Sequence, residues 1–117
     1  MPTTQELILN AGNMTLTLHS LVIDLGATNT GSIQAVFAGA PVGSLFLEIS
    51  NDIISPGSDP NSAVSNWTTY AGSAYSVAAA GNYMFNISNM GYKWLRMTYA
   101  PSSGTGSLSA TSAVKND

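Results

Sequence analysis

Apolar residues recur at every second position in several short segments of this chain, and Gly, Pro, Asn and Ser separate those segments. Ile33, Ala35 and Phe37 fall on one side of residues 32–37, and Leu45, Leu47 and Ile49 on one side of residues 44–50. A period of two is the mark of a strand with one buried face, and Ala38-Gly39-Ala40-Pro41-Val42-Gly43 between the two segments reads as a turn. Residues 81–87 and 93–99 repeat the arrangement, with Tyr83, Phe85 and Ile87 sharing a face in the first and Leu95, Met97 and Tyr99 in the second. The opposite faces are mixed: Val36, Phe46 and Trp94 lie away from the presumed core, so part of the outer surface needs cover.

Shorter signals complete the pattern. Residues 6–9 form a strand candidate closed by Asn10-Ala11-Gly12-Asn13, and residues 14–19 alternate with Met14, Leu16 and Leu18 on one face. Residues 107–113 read as a small-residue edge strand after the link at 100–106. Residues 51–66 lack periodicity, and a loop of that length in a compact domain is commonly functional or held by a partner. No segment carries a helical stripe with start and stop signals. The expectation is an all-β chain: a single antiparallel β-sandwich, jelly-roll-like, of seven to nine short strands with little or no helix. It forms one domain over 1–117, with 1–9 as a possible N-terminal arm and 51–66 as a long loop.

Composition changes this picture in one respect. Charged residues make up 8% of the chain, against about 25% in ordinary globular proteins. Depletion of charge suits surface that is buried against neighbours, so an assembly is expected rather than a solitary domain. Three Lys and Arg against six Asp and Glu leave a net charge of −3 and no basic footprint for nucleic acid. The N-terminus has no signal-peptide pattern, and no apolar run reaches membrane-spanning length, so neither export signal nor membrane is expected.

Candidate chemistry is sparse. Cysteine is absent, which removes disulfides, thiolate metal sites and cysteine nucleophiles. His19 is the one histidine and lacks sequence partners for a triad or a zinc site. Glu48 and Asp52 offer a carboxylate pair of the glycosidase kind, but six carboxylates produce such pairs by chance. Asn51, Asp52, Asp59 and Asn61 supply oxygens that calcium accepts, though without EF-hand spacing, and turns favour the same residues for their own backbone bonds. The aromatics Trp67, Tyr70, Tyr75, Tyr83, Tyr92, Trp94 and Tyr99 are read mainly as packing, with a sugar-stacking platform around Trp94 as the functional alternative. No catalytic, cofactor-binding or metal-binding residue is assigned.

The succession Ser32-Ile33-Gln34-Ala35-Val36-Phe37, Pro41-Val42-Gly43-Ser44-Leu45-Phe46-Leu47-Glu48-Ile49-Ser50-Asn51-Asp52, Trp67, Gly81-Asn82-Tyr83-Met84-Phe85, Tyr92-Lys93-Trp94-Leu95-Arg96-Met97-Thr98-Tyr99 and Gly104-Thr105-Gly106-Ser107-Leu108 resembles small virion proteins of tailed bacteriophages. The portion from Leu47 to Asp52, with Trp67 and residues 92–96, is also similar to discoidin-type galactose-binding sandwiches, which are longer. The phage resemblance implies a non-enzymatic cement or decoration protein of the capsid surface. Such a protein binds the major capsid protein, bridges capsomers and self-associates, with a trimer favoured. Thr3, Glu6, Asp52, Asp59, Trp94 and Arg96 are the expected partner contacts. The alternative is a carbohydrate-binding module of a tail or head fibre.

Overall fold

The computed structural model describes residues 4–25, 30–88 and 91–115. Its strands are β1 (Thr4–Asn13), β2 (Leu18–His19), β3 (Ile23–Asp24), β4 (Thr30–Ser50), β5 (Thr68–Thr69), β6 (Tyr75–Val77), β7 (Gly81–Ser88) and β8 (Trp94–Lys115), with one helical turn, α1 (Pro60–Ala63). All the strand pairs are antiparallel and belong to one eight-stranded sheet. The all-β expectation therefore holds, but two of the strands are long, at 21 and 22 residues.

These two long strands organise everything else. β4 and β8 pair along their whole lengths, from Thr30 opposite Lys115 to Ser50 opposite Trp94. A straight ribbon of that length has no core, because it faces solvent on both sides. Here the ribbon bends near its middle, so one sheet becomes two layers, and residues of both halves join a single hydrophobic cluster. The first layer has the order β1, second half of β8, first half of β4, β7; the second has β2 and β3, first half of β8, second half of β4, β5 and β6.

Glycine makes the bend possible. Gly39 and Gly104 have φ of 89° and 79°, a left-handed conformation that side chains disfavour. A Cβ at Gly43 would stand 2.6 Å from the Tyr99 hydroxyl and collide with the Ala100 carbonyl. Ile33, Ala35, Phe37, Leu45, Leu47 and Ile49 all lie on the concave side of β4 and are buried. In β8 the buried positions shift from Leu95, Met97 and Tyr99 to Leu108 and Ala110. The pairing slips by one residue there, from Val42 opposite Ser103 to Gly43 opposite Pro101. That one-residue bulge turns both halves of β8 inward, since a pleat reverses at each position. Edge contacts close the layers: Tyr75 of β6 stacks on Tyr83 of β7 with ring centres 4.0 Å apart, and Leu21 N donates to Ile8 O across the other edge.

Several sequence expectations are corrected. The segment at 38–43 bends a continuous strand and is not a hairpin turn; Gly and Pro serve either purpose. Residues 81–87 and 93–99 do not pair with each other, because each takes a half of β4 as its partner. Residues 107–113 form an interior strand between β1 and β4, not an edge. Residues 1–3 of the expected arm lie outside the described residues, while Thr4–Asn13 is a strand paired with β8. Residues 14–19 hold only a two-residue strand, because the Asn13 side chain accepts the Thr15 N–H at 3.0 Å and makes a turn that leaves Leu16 exposed.

The bend generates a pair of opposite mutational outcomes. Gly43→Ala forces backbone and Tyr99 apart, and is expected to cost about 3 kcal/mol, a fall in Tm of roughly 10 °C. The Tyr99 hydroxyl is buried with no hydrogen-bond partner among the described residues. Tyr99→Phe is therefore expected to leave stability unchanged or raise it by about 1 kcal/mol, with both variants read by thermal denaturation.

Candidate functional site

The two layers present different outer faces. On the second layer, Glu48 of β4 stands opposite Arg96 of β8, and Arg96 Nε donates to Glu48 Oε1 at 2.8 Å. The Thr98 hydroxyl donates to the same oxygen at 2.5 Å, and His19 Nδ1 lies 2.9 Å from the Thr98 oxygen. Since that hydroxyl proton is taken by Glu48, His19 is the donor, which places its proton on Nδ1. Burial and then the nearby Arg96 lower the His19 pKa against the opposing pull of Glu48. Nucleophilic activation needs the imidazole to accept a hydroxyl proton, and here the bond runs the other way. The cluster is a structural clamp, and the Arg96 guanidinium completes it by lying 4.3 Å from the Trp67 ring.

The 51–66 segment covers this face. Trp94 is buried at 7% exposure, apart from the main core cluster, and its indole N–H donates to Asp52 O at 3.0 Å. The Asp52 carboxylate accepts the Ser65 and Asn66 backbone N–H groups at 2.8 and 3.0 Å, and the Asn66 amide at 3.0 Å, closing the loop into a ring. Those backbone N–H groups hold the Asp52 carboxyl below its ordinary pKa. Asp59 caps α1 by accepting Asn61 N at 3.0 Å, and Asn61 Oδ1 reaches Val22 N at 2.7 Å. The loop thus crosses the layer from β4 to the β3 side. Trp94 does lie on the outer face, away from the main core, but the expectation of it as an exposed platform or partner contact is corrected, because the chain's own loop supplies the cover. Of the other expected contacts, Glu6 is exposed on β1, Arg96 is held in the clamp, Asp52 and Asp59 stabilise the loop, and Thr3 lies outside the described residues.

The first layer has no such cover. Its outer face shows rows set by strand pairing: Leu7, Thr111, Gln34 and Met84 in one, Gln5, Ala113, Ser32 and Asn86 in the next, then Ser109, Val36 and Asn82. No charged side chain stands in these rows. Leu7, Val36 and Met84 are 51%, 50% and 46% exposed. Alternation alone places Val36 on an outer face, but the rows are not legible in the sequence, because they depend on which strands pair.

A third feature is an open groove of about 560 Å³ beside the loop, lined among others by Asp52, Asn66, Thr68, Thr69, Tyr70 and Tyr92. The Tyr70 and Tyr92 rings meet edge to face, with centres 6.1 Å apart at 74°. The two tyrosines were among the aromatics singled out from sequence; the threonines gave no signal there.

No protein-family model and no curated protein matches this chain. Among solved structures, the exported protein XepA of PBSX is similar over 97% of this chain, with TM-score 0.63 and 19% identity; the chain spans 37% of XepA. The SPBc2 prophage-derived protein YomS is similar over 96% of this chain and 93% of its own length, with TM-score 0.54 and 10% identity. The chain shares its β-fold with these two phage-derived proteins.

The Asp52 ring gives a pH dependence of definite sign. Its hydrogen bonds favour the charged carboxylate, so their contribution is complete above the unfolded pKa of about 3.9 and is lost as pH falls through the lower folded value. NMR titration of the Ser65 and Asn66 amides is expected to show their shifts collapsing toward unbonded values below that ordinary carboxylate range. In Asp52→Ala, which removes the acceptor, the same collapse is expected already at neutral pH.

Proposed function

We propose that this chain is a non-enzymatic structural protein of a phage particle, a cement or decoration protein that bridges capsomers on the outside of the capsid. The observation that carries the reading is the outer face of the first layer, where the three central rows carry no charged residue and no covering segment. Most of the chain's described acidic and basic side chains serve clamps and caps on and around the second layer, as with Glu48, Arg96, Asp52 and Asp59, and Glu6 on β1 is the described exception. A face of Leu, Val, Met, Ser, Thr, Asn and Gln has the composition of surface that desolvates cheaply against a protein. Kinship of fold with phage-derived proteins supports the particle setting.

The size of the face bears on how it acts. Strand spacing of about 4.8 Å and a rise of about 3.3 Å per residue give four strands over the width of residues 30–38 an area of roughly 500 Å². A stable interface takes about 800 Å² per partner. One copy binds weakly on this face alone, so firm attachment to the major capsid protein rests on several linked copies. A homotrimer with its three faces turned to the shell meets that requirement, and symmetric closure leaves no open-ended growth.

Placing charge on the face tests the reading. The double variant Gln34→Glu with Val36→Lys sits at exposed positions, and its Tm is expected to stay near that of the parent. Binding to expanded capsids of the encoding phage, followed by co-sedimentation, is expected to fall at least tenfold. Failure of the unmodified protein to bind, with heads lacking it equally resistant to heat and chelator, would sink the proposal.

A further inference from the structure

The groove beside the 51–66 loop is separate from the uncharged face, and its chemistry points to a different ligand. We propose that it is a binding site for a neutral saccharide. Two rings set at 74° form a corner, in which the apolar C–H face of a pyranose lies on one ring while its edge meets the other. Around the corner stand groups that match hydroxyls. Thr68 and Thr69 are exposed, and their hydroxyls have no partner among the described residues. Asn66 gives its amide N–H to Asp52, which leaves its carbonyl oxygen to accept. Asn51 accepts Lys93 N through Oδ1 at 2.9 Å, which leaves its amide hydrogens to donate. The Asp52 carboxylate already accepts three bonds and has the Ser50 hydroxyl beside it, so the open acceptor in the groove is the Asn66 carbonyl.

Charge narrows the class. Among the described residues, the one ionised group in the lining is Asp52, whose carboxyl its backbone donors keep charged at neutral pH, and no Lys or Arg lines the groove. Phosphate, sulfate and acidic sugars meet a like charge there without a compensating cation. A neutral sugar presents its hydroxyls as donors to the Asn66 carbonyl and as acceptors to the Asn51 amide, and its ring to Tyr92. The volume of about 560 Å³ is in the range of small-ligand sites, roughly 300–1,000 Å³, and accepts a short oligosaccharide with its ends free. The sugar-binding alternative raised from sequence centred on Trp94; the structure moves that chemistry to Tyr70 and Tyr92, because Trp94 is buried.

The test is an NMR titration of the full ¹⁵N-labelled chain with three probes: maltotriose, chitotriose and a β-1,4-galactobiose. Inorganic phosphate and a glucuronate-containing disaccharide serve as anionic controls. Saturable shifts of the Asn51, Asp52 and Thr68 to Ala71 amides are expected with at least one neutral probe and with neither control. Tyr92→Ala is expected to weaken that binding at least tenfold, and Tyr92→Phe to retain most of it, with both spectra dispersed as in the parent. The proposal is overturned by absence of saturable shifts with all three neutral probes at millimolar concentration. It is equally overturned by binding that survives Tyr92→Ala, by shifts mapping elsewhere, or by phosphate taking the site.

Discussion

The structure depends on one constraint: two strands of 21 and 22 residues, paired along their length, have to bend together to gain an interior. The bend is a backbone problem before it is a packing problem. Left-handed Gly39 and Gly104, and the close approach at Gly43, let the paired ribbon turn without losing its ladder. The bulge at Ser102 then makes the pleat of β8 agree with that of β4 on both sides of the turn. Hydrophobic burial of residues such as Ile33, Leu47, Met97 and Leu108 rewards the bend, each fully buried side chain contributing about 1.5–3 kcal/mol. The remaining strands attach to one half of the ribbon or the other, and each half becomes a layer.

Folding a ribbon over itself also creates two outer faces, and this chain treats them unequally. The second layer carries the Glu48–Arg96 clamp and is roofed by the 51–66 loop, which Asp52 closes and Asn61 fastens to Val22. The first layer is left bare and without charge in its three rows. Scarcity of charge across the whole chain thus resolves into a spatial arrangement: most described ionic groups secure the roofed side, and neutral residues fill the three central rows of the other. The function proposed above follows from that asymmetry, with the aromatic groove at the loop's margin as a second, independent site.

Much of the fold is legible in the sequence, in a particular way. The concave face of β4 can be read directly, because residues 33, 35, 37, 45, 47 and 49 keep one parity through the bend. The same reading fails for β8, where the bulge reverses parity and makes one strand look like two. Gly and Pro at 38–43 signal a change of direction, but local chemistry does not separate a hairpin from a bend; the distant partner decides. Pairing of β1 with the far end of β8 spans almost the whole chain and leaves no local trace. Trp94 illustrates the same limit at the candidate site. Its alternation with Leu95 correctly puts it on the outer face, while its cover comes from a loop held by side-chain-to-backbone bonds that no periodicity encodes.

The central claim is that the bare face of the first layer is where this protein meets its partner. Oxidative footprinting of the isolated protein and of the capsid-bound protein tests it directly, because Met84 reports the bare face, Met14 and Met97 the core, and Tyr92 the groove beside the loop. Met84 is 46% exposed, whereas Met14 and Met97 are fully buried. Met84 is expected to oxidise readily in the isolated protein and to be protected in the assembly, with Met14 and Met97 unreactive in both and Tyr92 reactive in both. Equal reactivity of Met84 in the two states would contradict the account.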